Sequence, residues 1–275
     1  MSQTRLGKRF ADLKAEGRSA LVTFISAGDP DLETSKKLLG GMANAGADVI
    51  ELGMPFSDPM ADGPAIQLGS QRALAGGMTL KGVLAMVREF REGDNDTPIV
   101  LMGYFNPVYS YGVEPFLADA KEAGVDGFII VDLPPEEERE FAVPAQEAGL
   151  DFIYLTTPTA DDARLQKITS KASGFIYYVS ITGVTGTASA QTSDVDAAVN
   201  TIRKHTDLPV AIGFGINTPD QAKTMAGISD AAVVGSAIVK RIADNLDENG
   251  KAKDGLVDAV LSYVNDLAQG VRAAK

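Results

Sequence analysis

Cysteine and tryptophan are absent from this chain and histidine occurs once. Without cysteine there are no disulfides, no thiolate nucleophile and no thiolate metal ligand. The lone histidine, His205, lies in TIRKHTDLP, the polar end of a predicted helix that leads into a strand. That position is the wrong end of the fold for catalysis, and a solvated histidine is expected there. A Ser-His-Asp triad therefore lacks its base, and a zinc site lacks its imidazoles and thiolates.

Positive charge is scarce as well: 25 lysines and arginines stand against 37 acidic residues, a net charge of −12. Such a surface repels nucleic-acid phosphates, and no Lys/Arg cluster reverses this locally, so no nucleic-acid partner is expected. Apolar runs are short, far below the roughly 20 residues that cross a bilayer, so no membrane span is expected. The opening MSQTRLGKRF lacks the apolar stretch of a secretory signal and reads as the start of an amphipathic helix over about 4–16. The expected location is cytoplasmic.

Against these absences stand eight short runs rich in β-branched and aromatic residues, at 21–25, 48–52, 98–102, 127–131, 151–155, 175–179, 209–214 and 231–234. They are apolar throughout rather than alternating, as strands buried on both faces are. Helical segments separate them, among them 32–45, 114–123, 136–148, 161–171, 194–205 and 218–226, several opening on Asp, Ser, Thr or Pro. Ala45-Gly46-Ala47-Asp48, Ala123-Gly124-Val125-Asp126 and Ala148-Gly149-Leu150-Asp151 each precede a strand, with a glycine suited to the left-handed turn that ends a helix. Eight βα units without a linker predict an α/β fold, a (β/α)8 TIM barrel spanning 1–275 as one domain, with an additional N-terminal helix.

In that fold the active site is built at the C-terminal ends of the strands. Two connections there are long, 53–68 and 180–194. Glu51, next to last in the second strand, is expected to point into the barrel mouth, opposite to Ile50 and Leu52. Position alone leaves two readings: a structural ion pair, or a desolvated acid-base group. Asp62, in the loop that follows, is either ordinary turn chemistry before Gly63 or a second carboxylate for the same cavity. Asp132 is expected to brace a loop, and Asp29 to serve the turn and N-cap of the first barrel helix. No lysine occupies a strand or the residues immediately after one, so a Schiff-base aldolase has no nucleophile and any carbon–carbon chemistry must be acid-base.

Gly213-Phe214-Gly215-Ile216-Asn217 after the seventh strand and Gly235-Ser236 after the eighth fall where this fold commonly grips phosphate with backbone N–H groups. Gly183-Val184-Thr185-Gly186 can add donors as a lid. Phe24, Met102, Tyr104, Ile129, Tyr177 and Phe214 are barrel core taken singly. Together, an apolar mouth between a phosphate grip and carboxylates suits an aromatic phosphorylated substrate.

ELGMPFSDPMADGP (51–64), FIIVDLP (128–134), SITGVTG (180–186), GFGI (213–216) and GSAIVK (235–240) follow one another along nearly the whole chain, and together they resemble the tryptophan synthase α chain family. The resemblance implies reversible retro-aldol cleavage of indole-3-glycerol phosphate to indole and glyceraldehyde 3-phosphate, with no metal or organic cofactor in this chain. It implies Glu51 as the principal acid-base group and Asp62 as the partner of the indole nitrogen. It further implies Tyr177 as a pocket tyrosine, Thr185 as the lid residue that locks the Asp62 loop, and Gly186, Gly215, Gly235 and Ser236 as the phosphate grip. A partner follows too: a pyridoxal-phosphate β chain in an αββα heterotetramer, met by Pro55, Asp58 and Pro134. A stand-alone indole-releasing lyase and a non-catalytic activating subunit are the rival expectations; the presence of both carboxylates speaks against the second.

Overall fold

The computed structural model describes residues 4–179, 192–213 and 215–274. Its strands are β1 Ala20–Ser26, β2 Val49–Gly53, β3 Ile99–Gly103, β4 Gly127–Ile130, β5 Asp151–Phe152, β6 Tyr154–Thr156, β7 Ile176–Val179, β8 Val210–Gly213 and β9 Ala231–Val234. All paired neighbours run parallel, in the order β5-β4-β3-β2-β1-β9-β8-β7-β6. Only Ile153 separates β5 from β6, and its N–H still bonds the Phe128 carbonyl at 2.9 Å. The two ends of the sheet are thus halves of the predicted fifth strand, and the sheet curls into a nearly closed barrel.

The helices are α1 Arg5–Glu16, α2 Leu32–Met42, α3 Pro64–Ala75, α4 Leu80–Gly93, α5 Phe105–Tyr111, α6 Val113–Ala123, α7 Ala142–Glu147, α8 Asp162–Thr169, α9 Thr192–Ile202, α10 Pro219–Ile228, α11 Ser236–Asp244 and α12 Leu256–Arg272. Two expectations need correction. The predicted helix 136–148 divides into a 3-10 segment, Pro135–Glu140, and α7, because Phe141 leaves helical geometry. The predicted long loop 53–68 ends early: Gly63 caps α3 and Pro64 opens it, a proline at the first helical position where its missing N–H costs nothing.

Most strands bury both faces, which is why the runs read as continuously apolar, whereas β6 and β7 leave Leu155, Tyr177 and Val179 partly exposed. Leu21, Ile25, Ile50 and Leu52 face the helical layer, where they join Phe116 and Phe128. Val22, Val49, Val100, Ile129, Ile153 and Phe175 fill the barrel, and Leu6, Phe10 and Leu13 of α1 close its floor. The predicted N-terminal helix is therefore a plug that gives the lower half of the barrel a dry bottom.

The repeated glycines behave as their sequence pattern implies, with φ of 106° at Gly46, 91° at Gly124 and 83° at Gly149. Two of the three aspartates after them, Asp48 and Asp126, have a role the pattern did not disclose, while Asp151 is buried with its Oδ2 unpartnered among the described residues. Asp48 accepts the Leu21 N–H at 2.9 Å, and Asp126 accepts the Ile99 N–H at 2.7 Å, each tying its strand to the preceding one. Asp230 does the same for Val210 at 2.9 Å. Arg18 clasps Asp48 with two bonds of 3.0 and 2.9 Å, while Arg91 and Arg5 of α1 converge on Asp126. These buried charges are paired and hydrogen-bonded, as burial demands.

Candidate active site

Glu51 stands on β2 between Phe24 of β1 and Val100 of β3 in the parallel register. It is 1 % exposed, and among the described residues nothing hydrogen-bonds its Oε1. No basic side chain compensates it, so desolvation pushes its pKa up to about 8. A structural ion pair is thereby excluded among the described residues, and burial favours the protonated carboxyl. Tyr177 of β7 faces the same space: burial, and then the Glu51 charge, raise its phenol well above the usual range.

Close packing at the mouth depends on glycine at two strand ends. A Cβ on Gly213 would lie 2.7 Å from both Cε1 and Oη of Tyr177, and one on Gly53 would lie 2.6 Å from Cζ of Phe24. Phe24 also rests its Cβ against Gly235, so that one ring spans from the end of β2 to the end of β9. Met102 is half-buried beside Ile129, which has no exposed surface and belongs to the inner core.

Asp62 is carried by the connection from β2 to α3. The Met54 N–H bonds the Met102 carbonyl at 2.7 Å where the chain leaves the sheet, and the Asp62 N–H closes a turn on the Pro59 carbonyl at 3.1 Å. The Tyr104 hydroxyl, at the end of β3, accepts the Ala61 N–H at 2.9 Å, and its ring centroid lies 5.5 Å from that of Phe56. Half-burial pushes the Asp62 carboxyl up to about 6, with a hydrogen bond from Tyr104 opposing the shift. Burial, followed by the Asp62 charge, carries the Tyr104 phenol to about 12. A turn thus aims Asp62, and partial desolvation perturbs its carboxyl.

Other predicted residues lie apart from this pair. Gly215, after β8, takes the left-handed region at φ 63° and is exposed. Gly235 supplies no side-chain cap for α11, so Ser236 opens a helix whose first N–H groups face the C-terminal end of the barrel. Pro55 is half-buried, and Asp58 and Pro134 are exposed, around a loop whose Met60 is 79 % exposed. Thr185, Gly186 and Phe214 lie outside the described residues. Asp132 braces as expected, accepting the Phe105 N–H at 2.8 Å at the start of α5. His205 sits beyond α9 with Nε2 3.2 Å from Asp162 of α8, in the helical layer.

The expected N-cap role of Asp29 is corrected: Asp31 caps α2, accepting the Thr34 N–H at 2.9 Å. Asp29 is buried and joins Arg72 of α3 through bonds of 2.7 and 3.0 Å. Gln67 was missed altogether, because the predicted loop ran through it. Its Nε2 donates to the Asp62 carbonyl at 2.9 Å. The Gly63-Pro64 pair was the available signal, since it marks a helix start four residues earlier.

Among the described residues no group of three or more His, Asp or Glu gathers as a metal site, and no helix is long and apolar enough to cross a membrane. A surface groove of about 300 Å³ lined by Lys36, Leu39, Met86 and Glu89 lies between α2 and α4, away from both carboxylates.

The fold and sequence have close counterparts. A tryptophan synthase α subunit from Legionella pneumophila str. Paris is 38% identical, with 99% of this chain and 100% of that chain covered and a TM-score of 0.91. A protein of Aquifex aeolicus VF5 is 35% identical over 98% of this chain and 99% of its own, with a TM-score of 0.87. A chain of tryptophan synthase from M. tuberculosis in an aminoacrylate-bound form is 31% identical over 98% of this chain and 100% of its own, with a TM-score of 0.86. The family model described as tryptophan synthase alpha chain matches residues 10–269, which takes in β1 through β9, the two carboxylates and both glycine-bearing strand ends. The chain accordingly belongs to the tryptophan synthase α chain family, the lyases that cleave indole-3-glycerol phosphate to indole and glyceraldehyde 3-phosphate.

Proposed function

We propose that Glu51 and Asp62 divide the acid-base work of this cleavage, and that the carrying observation is the buried carboxyl of Glu51 near the end of β2, whose Oε1 has no hydrogen-bond partner among the described residues. The bond to be broken joins C3 of the indole ring to the hydroxyl-bearing carbon of the glycerol chain. Protonated Glu51 gives its proton to C3, and the ring nitrogen takes up positive charge. Ionised Asp62 accepts a hydrogen bond from that N–H and offsets the charge. The Glu51 carboxylate then removes the proton of the side-chain hydroxyl. The oxygen forms a carbonyl, the carbon–carbon bond breaks, and its electrons return to the ring to neutralise the nitrogen. Indole and glyceraldehyde 3-phosphate result, and Glu51 ends as it began, with its proton. Each positioned group is worth roughly 10²–10⁴ in rate.

Phe24, Met102, Tyr104, Tyr177 and Phe214 form the walls for the indole ring above Ile129, and Thr185 locks the Asp62 loop when the lid closes. Gly186, Gly215, Gly235 and Ser236 bind the phosphate; the uncapped start of α11 supports this, since helix N-termini attract anions. α chains of this family do not themselves hold pyridoxal phosphate. In this reading no other cofactor is needed here, and the pyridoxal phosphate belongs to a β chain joined in an αββα assembly. Pro55, Asp58 and Pro134 meet that partner, a reading supported by the exposure of Asp58, Pro134 and neighbouring Met60. The continuous barrel with its α1 plug supports one domain, and the location is the cytoplasm.

The test is Glu51→Gln assayed for indole release from indole-3-glycerol phosphate, beside binding of a phosphate-bearing product analogue. Loss of turnover with binding retained is expected; unchanged turnover would sink the assignment. Repeating the wild-type assay with a β chain added separates a subunit, whose turnover rises, from a stand-alone lyase.

A further inference from the structure

The peptide that carries Asp62 is gripped from two sides. From the barrel, the Tyr104 hydroxyl accepts the N–H of Ala61 at 2.9 Å. From the following helix, Nε2 of Gln67 donates to the carbonyl of Asp62 itself, also at 2.9 Å. That helix is bolted to the sheet one turn further on. A Cβ on Gly69 would lie 2.9 Å from Oδ2 of Asp29, so only glycine lets α3 lie this close to the end of β1. Arg72 then closes a two-bond ion pair on the same aspartate, which is 1 % exposed. Breaking such a buried pair leaves a charge without compensation, so the anchor is stiff.

We infer that Gln67 is a positioning residue for Asp62: anchored through α3 to Asp29, it holds the Asp62 peptide by its carbonyl and so fixes where the carboxylate meets the substrate. The inference rests on the reading of Asp62 given above. A loop is ordinarily a poor place for a reacting group, because a misplacement of about 1 Å can cost on the order of 10² in rate. The side-chain bond from Gln67 ties this loop residue to α3. Gln67 does not touch the substrate in this scheme, and its effect passes wholly through Asp62.

The experiment compares wild type, Gln67→Leu, Gln67→Glu and Asp62→Asn as full chains cleaving indole-3-glycerol phosphate, with thermal unfolding of each. Gln67 is half-buried, so its replacement by leucine is expected to leave the fold intact. Gln67→Leu is expected to lower kcat about tenfold while KM changes less than about threefold and the unfolding midpoint stays within about 2 °C. The acid limb of its pH profile should move down as Asp62 loosens toward solvent. In Gln67→Glu the ionised carboxylate cannot donate and adds negative charge beside Asp62, so the same limb should move up. Unchanged kcat in both variants, or a fall in kcat that tracks a fall in the unfolding midpoint, overturns the inference. Turnover retained in Asp62→Asn instead overturns the reading of Asp62, so the two failures are told apart.

Discussion

Phe24 and Glu51 are paired neighbours on β1 and β2, and the Phe24 ring folds over Gly53 just beyond the carboxyl. An aromatic wall, with no basic group among the described residues, is what raises the pKa of the Glu51 carboxyl. In the proposed scheme cleavage needs Glu51 with its proton and Asp62 without one. Turnover therefore falls as pH rises through about 8 and falls again as pH drops through about 6. A bell-shaped kcat/KM is expected between those limits. Phe24→Ala, by admitting water, should bring the alkaline limb down toward the ordinary glutamate range; an unmoved limb would show that another group sets it.

Burial of Glu51 should also carry a stability penalty. Its pKa rises from 4.5 to about 8 on folding, so between those values the folded chain binds more protons than the unfolded one. Stability from this group is then greatest at low pH and is lost as pH climbs through that window, at about 1.4 kcal/mol per unit. Glu51→Gln has no such penalty. Its urea midpoint is expected to exceed that of wild type at pH 8, by the equivalent of a few kcal/mol, and to converge with it near pH 4.5. The opposite order at pH 8 would mean that the folded carboxylate is stabilised rather than desolvated.

The floor of the barrel offers a contrast. Asp126 accepts the Ile99 N–H and pairs with Arg91 and Arg5, all at the end of the barrel remote from Glu51. Asp126→Ala leaves the mostly buried Arg91 without its counter-charge, though still bonded to the carbonyls of Gly124, Asp94 and Thr97, and leaves the Ile99 N–H without its acceptor, at a cost of roughly 3 kcal/mol. Urea denaturation should show that loss. Turnover per folded molecule should stay within about twofold, and a larger drop would tie the floor to catalysis.

Asp58 and Pro55 belong to the loop that carries Asp62, with Asp58 exposed and Pro55 half-buried. If that loop meets a β chain, Asp58→Asn or Pro55→Ala should reduce the rise in turnover that an added β chain produces, severalfold, while the phosphate analogue binds nearly as before. Full retention of that rise would remove these two residues from the interface.

Much of this molecule is written locally. Continuous apolar runs mark strands with two buried faces, and a glycine two residues before an aspartate ends one helix and starts the next strand. An amphipathic stretch at the front makes a helix with a single buried face. Spacing alone therefore determined the number of strands, their parallel arrangement and the end of the barrel where Glu51 and Asp62 stand. It was silent on which charges are compensated. Asp29, Asp48, Asp62 and Asp126 look alike in sequence, yet Arg72 neutralises the first, Arg18 the second, and Arg91 with Arg5 the fourth. No arginine or lysine reaches Glu51 or Asp62 among the described residues. A carboxyl's chemistry depends on the dielectric and the partners around it, and those arrive from residues up to 121 positions away, as Arg5 does for Asp126. Only the closing of the barrel decides which acids are paired and which are left to react.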